Sequence, residues 1–338
     1  MIDTVFAKAP LRLGLAGGGT DLYPYWENHG GLVLSGTIDQ YAYCKIEPYH
    51  EWLFSSVDLN KIEGYSHLPG DYVDTDLKLL INTYKFFTDG MEIEPVKITT
   101  YVEAPPGSGL GSSSALVVSI ISAISEYYGL ALTEYEKAEF ALNIERNICD
   151  LPGGKQDQYS AVFGGFNYIE FLQDGRTIVN PLRLNYKVQN MIELNTVLYY
   201  VGKPRNDARV IEATSQNLVG NSKTLEVTHR IKQSCIDFKR CLLTGDVKGI
   251  SDLMNEYWKL KLETSNQVGS PELLDTYEYA MQNGATAAKI SGAGGGGHMV
   301  LFTEFEKRHR LISALKKLPT GRTVPFKFVK HGVDVWRA

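Results

Sequence analysis

Residues 105–115 read Pro-Pro-Gly-Ser-Gly-Leu-Gly-Ser-Ser-Ser-Ala and run directly into an apolar, helix-forming stretch that ends at Tyr128. Three alternating glycines, Gly107, Gly109 and Gly111, allow backbone conformations closed to other residues and let a ligand approach the main chain. Pro105 and Pro106 stiffen the entry. Ser112, Ser113 and Ser114 stand where a helix begins. There the unpaired N–H groups and the positive end of the macrodipole favour an anion, by up to about 2 kcal/mol when partly buried. Their hydroxyls can cap the helix, bond a phosphate oxygen or reach a metal ion. A flexible linker ahead of a capped helix would explain the composition, but not two prolines followed by glycines at such regular spacing.

The chain has 338 residues, 43% hydrophobic and 22% charged, which suits one large or two medium globular domains. Its net charge of −5 argues against a nucleic-acid or membrane-surface partner, because both need a basic face. Cys44, Cys149, Cys235 and Cys241 show no metal-ligand spacing and are expected to be reduced and buried. The opening Met-Ile-Asp-Thr-Val-Phe has neither the basic nor the apolar region of a signal peptide, and no apolar run approaches the roughly 18 residues of a membrane span. A cytoplasmic setting is the expectation.

Strands are expected at Val5–Ala9, Leu11–Ala16, Leu32–Ile38, Tyr41–Glu47 and Val96–Val102, the last leading into the glycine loop. Helices are expected at Thr75–Phe87 and at Ser113–Tyr128, the second closed by Gly129. Thr133 and Glu136 form a capping box for a helix ending near Asn147. Strands at Phe166–Phe171, Thr177–Leu184 and Thr196–Val201 precede several helices between Val210 and Gln282. Strands at Ala287–Ile290, His298–Phe302 and Val324–Val329 follow, with a helix from Glu304. Helix-rich and strand-rich stretches mix without regular alternation, which predicts an α+β fold rather than a doubly wound sheet. The pattern changes near residue 188, so domains 1–188 and 189–338 are expected.

Gly292, Gly294 and Gly297 fit G-x-G-x-x-G, but a strand follows where a dinucleotide site needs a helix. The loop at 107–114 lacks the Gly-Lys-Ser/Thr end of a P-loop, and no protein-kinase His-Arg-Asp or Asp-Phe-Gly set is present. Pro-x-Gly-x-Gly-Leu-Gly-Ser-Ser, ending at Ser113, instead resembles the second motif of the GHMP kinases, small-molecule kinases that include galactokinase and mevalonate kinase. Lys8-Ala-Pro-Leu-Arg-Leu-Gly-Leu-Ala-Gly-Gly-Gly-Thr-Asp21 resembles the family's N-terminal motif, and Lys289 to Gly297 resembles its third. Residues 16–22 and 150–165 look most like the heptose 7-phosphate kinase branch, with L-fucokinases as near neighbours.

That resemblance implies the two-domain GHMP fold: an N-terminal α/β domain like ribosomal protein S5 and a ferredoxin-like C-terminal domain. It implies ATP and Mg²⁺ as cofactors and phosphorylation of C1 of D-glycero-D-manno-heptose 7-phosphate, on the way to GDP-heptose and surface polysaccharide. The nucleotide phosphates would meet Pro106, Gly107, Ser108, Gly109, Leu110, Gly111, Ser112, Ser113 and Ser114. Asp157 is the base candidate, with Lys8 or Arg12 as its cation; strand alternation puts residues 8 and 12 on one face. Ser113 and Glu145 would hold Mg²⁺. A carboxylate near a helix C-terminus is electrostatically disfavoured, and a cation would supply a reason for it. Acceptor contacts would come from Gly18, Gly19, Thr20 and Asp21, from Gly153, Gly154 and Lys155, and from Gly294. Arg205, within a basic cluster with Lys203 and Arg209, is a candidate for the substrate's own phosphate.

Several relatives have Ser-Ser-Ala where this chain has three serines, which leaves open which hydroxyl meets the metal. The alternatives are another sugar 1-kinase, such as an L-fucokinase, or a regulator of the same fold that binds without turnover. A monomer and a homodimer are equally compatible with the sequence.

Overall fold

The computed structural model describes residues 4–202 and 207–338. The architecture is α+β, with two sheets each backed by helices. Two long antiparallel strands, β1 (Val5–Ala16) and β2 (Gly31–Pro48), form the spine of the first sheet. Each merges two segments that the sequence suggested were separate. In β1, a register shift between Pro10 and Leu11 absorbs the missing proline donor without ending the strand. In β2, the polar step at Asp39 lies exposed, and its N–H is satisfied by the carbonyl of Lys327 at 2.9 Å.

β3 (Trp52–Ser56) and β4 (Lys61–Tyr65) form a hairpin beside β5 (Val96–Val102), and neither was anticipated. Residues 42–48 of β2 pair with β5, whereas residues 31–36 pair with β6 (Phe166–Phe171), which in turn pairs with β7 (Thr177–Pro181). The second sheet contains β8 (Thr196–Tyr200), β9 (Ala285–Ile290), β10 (His298–Thr303) and β11 (Arg322–Val324), antiparallel in the order β11-β8-β10-β9. The chain then returns to the first sheet, where β12 (Asp334–Arg337) pairs with the start of β1.

The expected strand Val324–Val329 is therefore corrected. Pro325 ends β11 by removing a donor. Phe328 crosses to bridge Ile38 and packs on Phe166, with ring centroids 4.5 Å apart.

The helix Ser112–Tyr128 lies at the centre of the first half, with Gly111 and Gly129 both left-handed at its ends. Most of its length is buried because β1 and β2 cover one flank and helices Lys78–Thr88, Glu134–Asn143 and Gln156–Phe163 pack against the others. Val117, Val118, Ile120, Ile121 and Ile124 are fully buried, each contributing roughly 1.5–3 kcal/mol. The predicted capping box of Thr133 and Glu136 is formed. The two halves share one core: Leu13 and Leu15 pack in the same cluster as Phe238, Leu242, Met254, Val300 and Phe302. All four cysteines are free, but Cys241 is half-buried rather than buried. Among the described residues no helix is long and apolar enough to cross a membrane.

Candidate active site

A cleft of about 660 Å³ opens between the glycine loop, the end of β1 and the helices of the second half. Gly107, Gly109 and Gly111 have φ of 69°, 73° and 73°, so the loop depends on all three lacking a side chain. Gly111 is the N-cap of the helix Ser112–Tyr128 and no side chain caps that end. Its first N–H groups stay available to an anion at the positive end of the dipole. Pro106 to Gly109 and Gly111 to Ser114 line the cleft. Leu110 does not: its side chain is buried in the core, and its carbonyl accepts the Arg12 N–H at 2.9 Å.

The third motif clamps this loop from behind. The Ser291 hydroxyl donates to the Gly109 carbonyl at 2.8 Å, and the His298 N–H donates to the Ser108 carbonyl at 3.0 Å. A Cβ on Gly109 would lie 2.3 Å from the Ser291 carbonyl oxygen, and one on Gly297 2.3 Å from that of Ser108. Burial pushes the His298 imidazole down to about 4. Gly294 turns the motif against Val268 and stands behind the cleft wall, which Gly292 and Ala293 form.

Arg12 joins three elements. Its Nε and Nη2 donate to the two carboxylate oxygens of Asp157 at 2.6 and 2.7 Å, and its Nη1 donates to the Gly109 carbonyl at 2.6 Å. Arg12 is 4% exposed, so the pair is shielded from solvent on its cationic side. Asp157 sits in the first turn of Gln156–Phe163, and a Cβ on Gly111 would lie 3.2 Å from its carboxyl carbon. The carboxylate is thus beside the glycine loop. Lys8 shares the face of Arg12 but is not brought to Asp157. Its ammonium pairs with Asp334 at 3.8 Å and lies over the Tyr41 and Trp336 rings, because β12 occupies that end of β1.

Glu145 is fully buried in a one-turn π-helix, Ile144–Ile148, that follows Glu134–Asn143. Such widened turns recur at functional sites. The Ser113 hydroxyl donates to its Oε1 at 2.8 Å, and the Ser114 hydroxyl to its Oε2 at 2.6 Å. The Gln158 amide also donates to Oε2. Ser113 is exposed to the cleft, whereas Ser114 is 1% exposed. One carboxylate and one accessible hydroxyl suit a hard, oxygen-seeking cation such as Mg²⁺, whose remaining ligands would be phosphates and water. Among the described residues no cluster of three or more His, Cys, Asp or Glu could hold a metal by itself.

At the other end, Asp21 is 2% exposed. It accepts the Gly19 N–H at 3.1 Å and the Gln156 side-chain amide at 3.1 Å, which ties it to the residue before Asp157. Gly154 must be glycine: a Cβ there would lie 1.9 Å from Asp21 Oδ2. A Cβ on Gly153 would lie 2.3 Å from the Arg146 guanidinium, which donates to the carbonyls of Leu151 and Gly154. Gly18 and Gly19 line the cleft with Asp21.

Two expected acceptor residues face elsewhere. Thr20 is fully buried, its hydroxyl engaged with the Gly17 and Leu32 carbonyls and the Leu32 N–H, so it fixes the turn. Lys155 lies over the Trp26 ring at 4.0 Å and donates to the Gly175 carbonyl; burial lowers its amine from the usual lysine value. Lys203 and Arg205 lie outside the described residues, and Arg209 is exposed.

Three residues of the second half were missed. Tyr257 donates to the Gly18 carbonyl at 3.2 Å. Lys289 donates to the carbonyls of Gly14 and Leu15 at 2.6 and 3.3 Å, with its ammonium 4.3 Å from the centroid of the Tyr257 ring. Burial, then the neighbouring Arg12 and Lys261 cations, push the Lys289 amine down to about 7. Lys261 lines the cleft beside Gly19. Tyr257 and Lys261 sit one turn apart on Val247–Thr264, a spacing that reads as ordinary helix; Lys289 stood within the third motif without a role.

A glycine loop leading into a helix start, a carboxylate held by a guanidinium and a buried acidic side chain flanked by hydroxyls are an arrangement compatible with phosphoryl transfer. The family profile of the GHMP kinases N terminal domain matches residues 77–165, and that of GHMP kinases C terminal matches residues 238–319. Over 340 residues the sequence is 39% identical to the D-glycero-alpha-D-manno-heptose 7-phosphate kinase of Campylobacter jejuni, covering 99% of this chain and 100% of that one. The crystal structure of a D-glycero-D-manno-heptose 1-phosphate kinase from Bacteriodes thetaiotaomicron is similar with a TM-score of 0.82, at 37% identity over 99% of each chain. A putative sugar kinase from Campylobacter jejuni matches equally well, with a TM-score of 0.82 and 37% identity over 100% of this chain and 99% of that one. The chain belongs to the GHMP kinases, and within them it is a sugar kinase that uses ATP.

Proposed function

We propose that this kinase transfers the γ-phosphoryl group of ATP to the anomeric C1 hydroxyl of D-glycero-D-manno-heptose 7-phosphate, giving the 1,7-bisphosphate for GDP-heptose synthesis. In this reading the domains divide near residue 188 and the enzyme works in the cytoplasm. The observation that carries it is the Arg12–Asp157 pair, set between the phosphate loop and an acceptor wall in which Gln156 holds Asp21. The 39% identity to a heptose 7-phosphate kinase over the whole chain supports the choice of acceptor.

The acceptor oxygen attacks the γ-phosphorus in line, and the bond from that phosphorus to the β–γ bridging oxygen breaks, releasing ADP. Asp157 accepts the hydroxyl proton; each of its oxygens keeps a lone pair beyond the one given to Arg12. Arg12, rather than Lys8, fixes that carboxylate and ties it to Gly109 of the phosphate loop. The helix start at Ser112 would cradle the phosphates, and Asp21 would accept hydrogen bonds from sugar hydroxyls. Glu145 and Ser113 would hold Mg²⁺, which when bound supplies charge neutralisation for the nucleotide phosphates.

The test is ADP release by the purified chain with ATP, Mg²⁺ and one acceptor at a time: heptose 7-phosphate, the unphosphorylated heptose, L-fucose, galactose and none. Heptose 7-phosphate should give the highest kcat/KM. A higher value for L-fucose or galactose would overturn the acceptor assignment. ATP binding without turnover on any acceptor would favour the regulator alternative.

A further inference from the structure

Glu145 and Arg146 are neighbours in the π-helical turn Ile144–Ile148, yet they serve different parts of the site. Glu145 turns inward to Ser113 and Ser114, whereas Arg146 lines the cleft with the loop that follows, Leu151 to Gly154. The turn closes tightly: the Cys149 N–H donates to the Ile144 carbonyl and the Leu151 N–H to the Glu145 carbonyl, both at 2.9 Å. Between them Asp150 has φ of 50°, in the left-handed region that aspartate enters more readily than most residues. The chain therefore doubles back, and the loop runs alongside Arg146 instead of away from it.

The guanidinium spans that loop. Its Nη1 donates to the Leu151 carbonyl and its Nη2 to the Gly154 carbonyl, each at 3.0 Å. A Cβ on Gly153 would fall 2.5 Å from Arg146 Cζ, so a side chain there would displace the guanidinium. Gly154 in turn abuts Asp21, and a Cβ on it would overlap the Oδ2 that also accepts the Gln156 N–H at 3.3 Å. The fork thus sets where Gly154 stands, and with it the gap beside the Asp21 carboxylate. The Arg146 side chain is 20% exposed, so water can replace little of this. A lysine at the same depth can reach one of the two carbonyls, not both. It would keep the positive charge that Nη1 holds 3.9 Å from Glu145 Oε1, a distance beyond a hydrogen bond.

We propose that Arg146 is a positioning residue for the acceptor: its guanidinium fixes the Leu151–Gly154 loop against Asp21, so that losing the fork weakens acceptor capture and spares the nucleotide and metal contacts. This rests on the sugar acceptor proposed above. Arg146 acts through the loop and need not touch the sugar.

The experiment measures steady-state ADP release by wild type, Arg146→Lys, Gly153→Ala and the double variant, varying heptose 7-phosphate, ATP and Mg²⁺ in turn. Arg146→Lys should raise the KM for heptose 7-phosphate about 10- to 100-fold, the range for losing one hydrogen bond from a charged donor. Its kcat, its KM for ATP and its Mg²⁺ requirement should stay within about threefold, less than one such bond. Gly153→Ala should reproduce that split from the other side of the contact. The double variant should lose no more than about threefold beyond the less active single variant, because both changes remove the same contact. An unchanged acceptor KM in Arg146→Lys, equal rises in the KM for acceptor and ATP, or losses that multiply in the double variant would overturn the assignment of Arg146 while the kinase reading stands. If wild type phosphorylates a different sugar instead, the choice of acceptor falls and the same split is read with that sugar. If it phosphorylates none, both fall.

Discussion

Replacing Arg12 by lysine should cripple turnover while leaving nucleotide binding largely intact. The guanidinium makes three short hydrogen bonds, at 2.6, 2.7 and 2.6 Å, to Asp157 Oδ1, Asp157 Oδ2 and the Gly109 carbonyl. The arginine side chain is 5% exposed and that of Asp157 22%, so water can replace little of what is lost. An ammonium at the same depth can serve one carboxylate oxygen, but not both oxygens and the carbonyl together. A hydrogen bond to a charged group contributes about 1.5–3 kcal/mol net, and the carboxylate's orientation rests on the second bond of the fork. Losing about 2–3 kcal/mol of positioning corresponds to about a 30- to 150-fold drop in kcat. The assay is steady-state ADP release in a double-mutant cycle with Asp157→Asn. If Arg12 acts through Asp157, Arg12→Lys should cost less than about threefold once Asp157 is already Asn, because residues acting as a unit are strongly non-additive. Two results would refute the reasoning: Arg12→Lys with more than a third of wild-type kcat, or the same loss in both backgrounds.

Asp157→Asn should lower kcat by about 10²–10⁴ while binding a non-hydrolysable ATP analogue normally; equal losses in binding and kcat would point to a structural role. Ser113→Ala should raise the Mg²⁺ needed for half-maximal activity by about tenfold, whereas Ser114→Ala should mainly lower unfolding stability, by about 1–2 kcal/mol, since its hydroxyl is the buried one on Glu145. Similar Mg²⁺ dependences for the two variants would contradict that division. Gly154→Ala should raise the acceptor KM at least about tenfold with little effect on ATP, because its Cβ would stand 1.9 Å from Asp21 Oδ2 and the carboxylate must move. The Lys289 amine falls from 10.5 to about 7 on folding, so above pH 7 the unfolded chain holds a proton that the folded chain has lost. Stability therefore rises with pH through that window. Between pH 7 and 9, urea unfolding should show wild type gaining about 2 kcal/mol relative to Lys289→Met, and parallel profiles would contradict the burial argument.

The shape of the glycine loop was legible because its requirements are local: left-handed glycines and a helix start can be read from consecutive residues. Asp157, Arg12, Ser113 and Glu145 could be singled out as candidates for the same reason, each lying in a motif whose spacing fixes its element, and the structure places Arg12 against Asp157 and Ser113 against Glu145. Choosing between Lys8 and Arg12 was beyond the sequence. Both share a strand face, and only the return of β12 from the far end of the chain occupies the end that holds Lys8. Thr20 and Lys155 were misread for a related reason. Motif position put them near the acceptor, but a backbone carbonyl pair and a tryptophan face, distant in sequence, take up their polar groups. Tyr257 and Lys261 left no signal, since a tyrosine and a lysine at helical spacing look like any half-buried face. Their positions at the cleft come from the packing of Val247–Thr264 against a turn more than 200 residues away.

The central claim concerns where the phosphoryl group goes, and ³¹P NMR reads that directly. The purified chain with ATP, Mg²⁺ and D-glycero-D-manno-heptose 7-phosphate should yield a new phosphate resonance coupled to the anomeric proton, beside the unchanged 7-phosphate signal and that of ADP. In the time wild type needs for completion, the same mixture with Asp157→Asn should show no more than about 1% of that product. A new phosphate coupled to any other sugar proton, or ATP that remains intact while another sugar is phosphorylated, would contradict it.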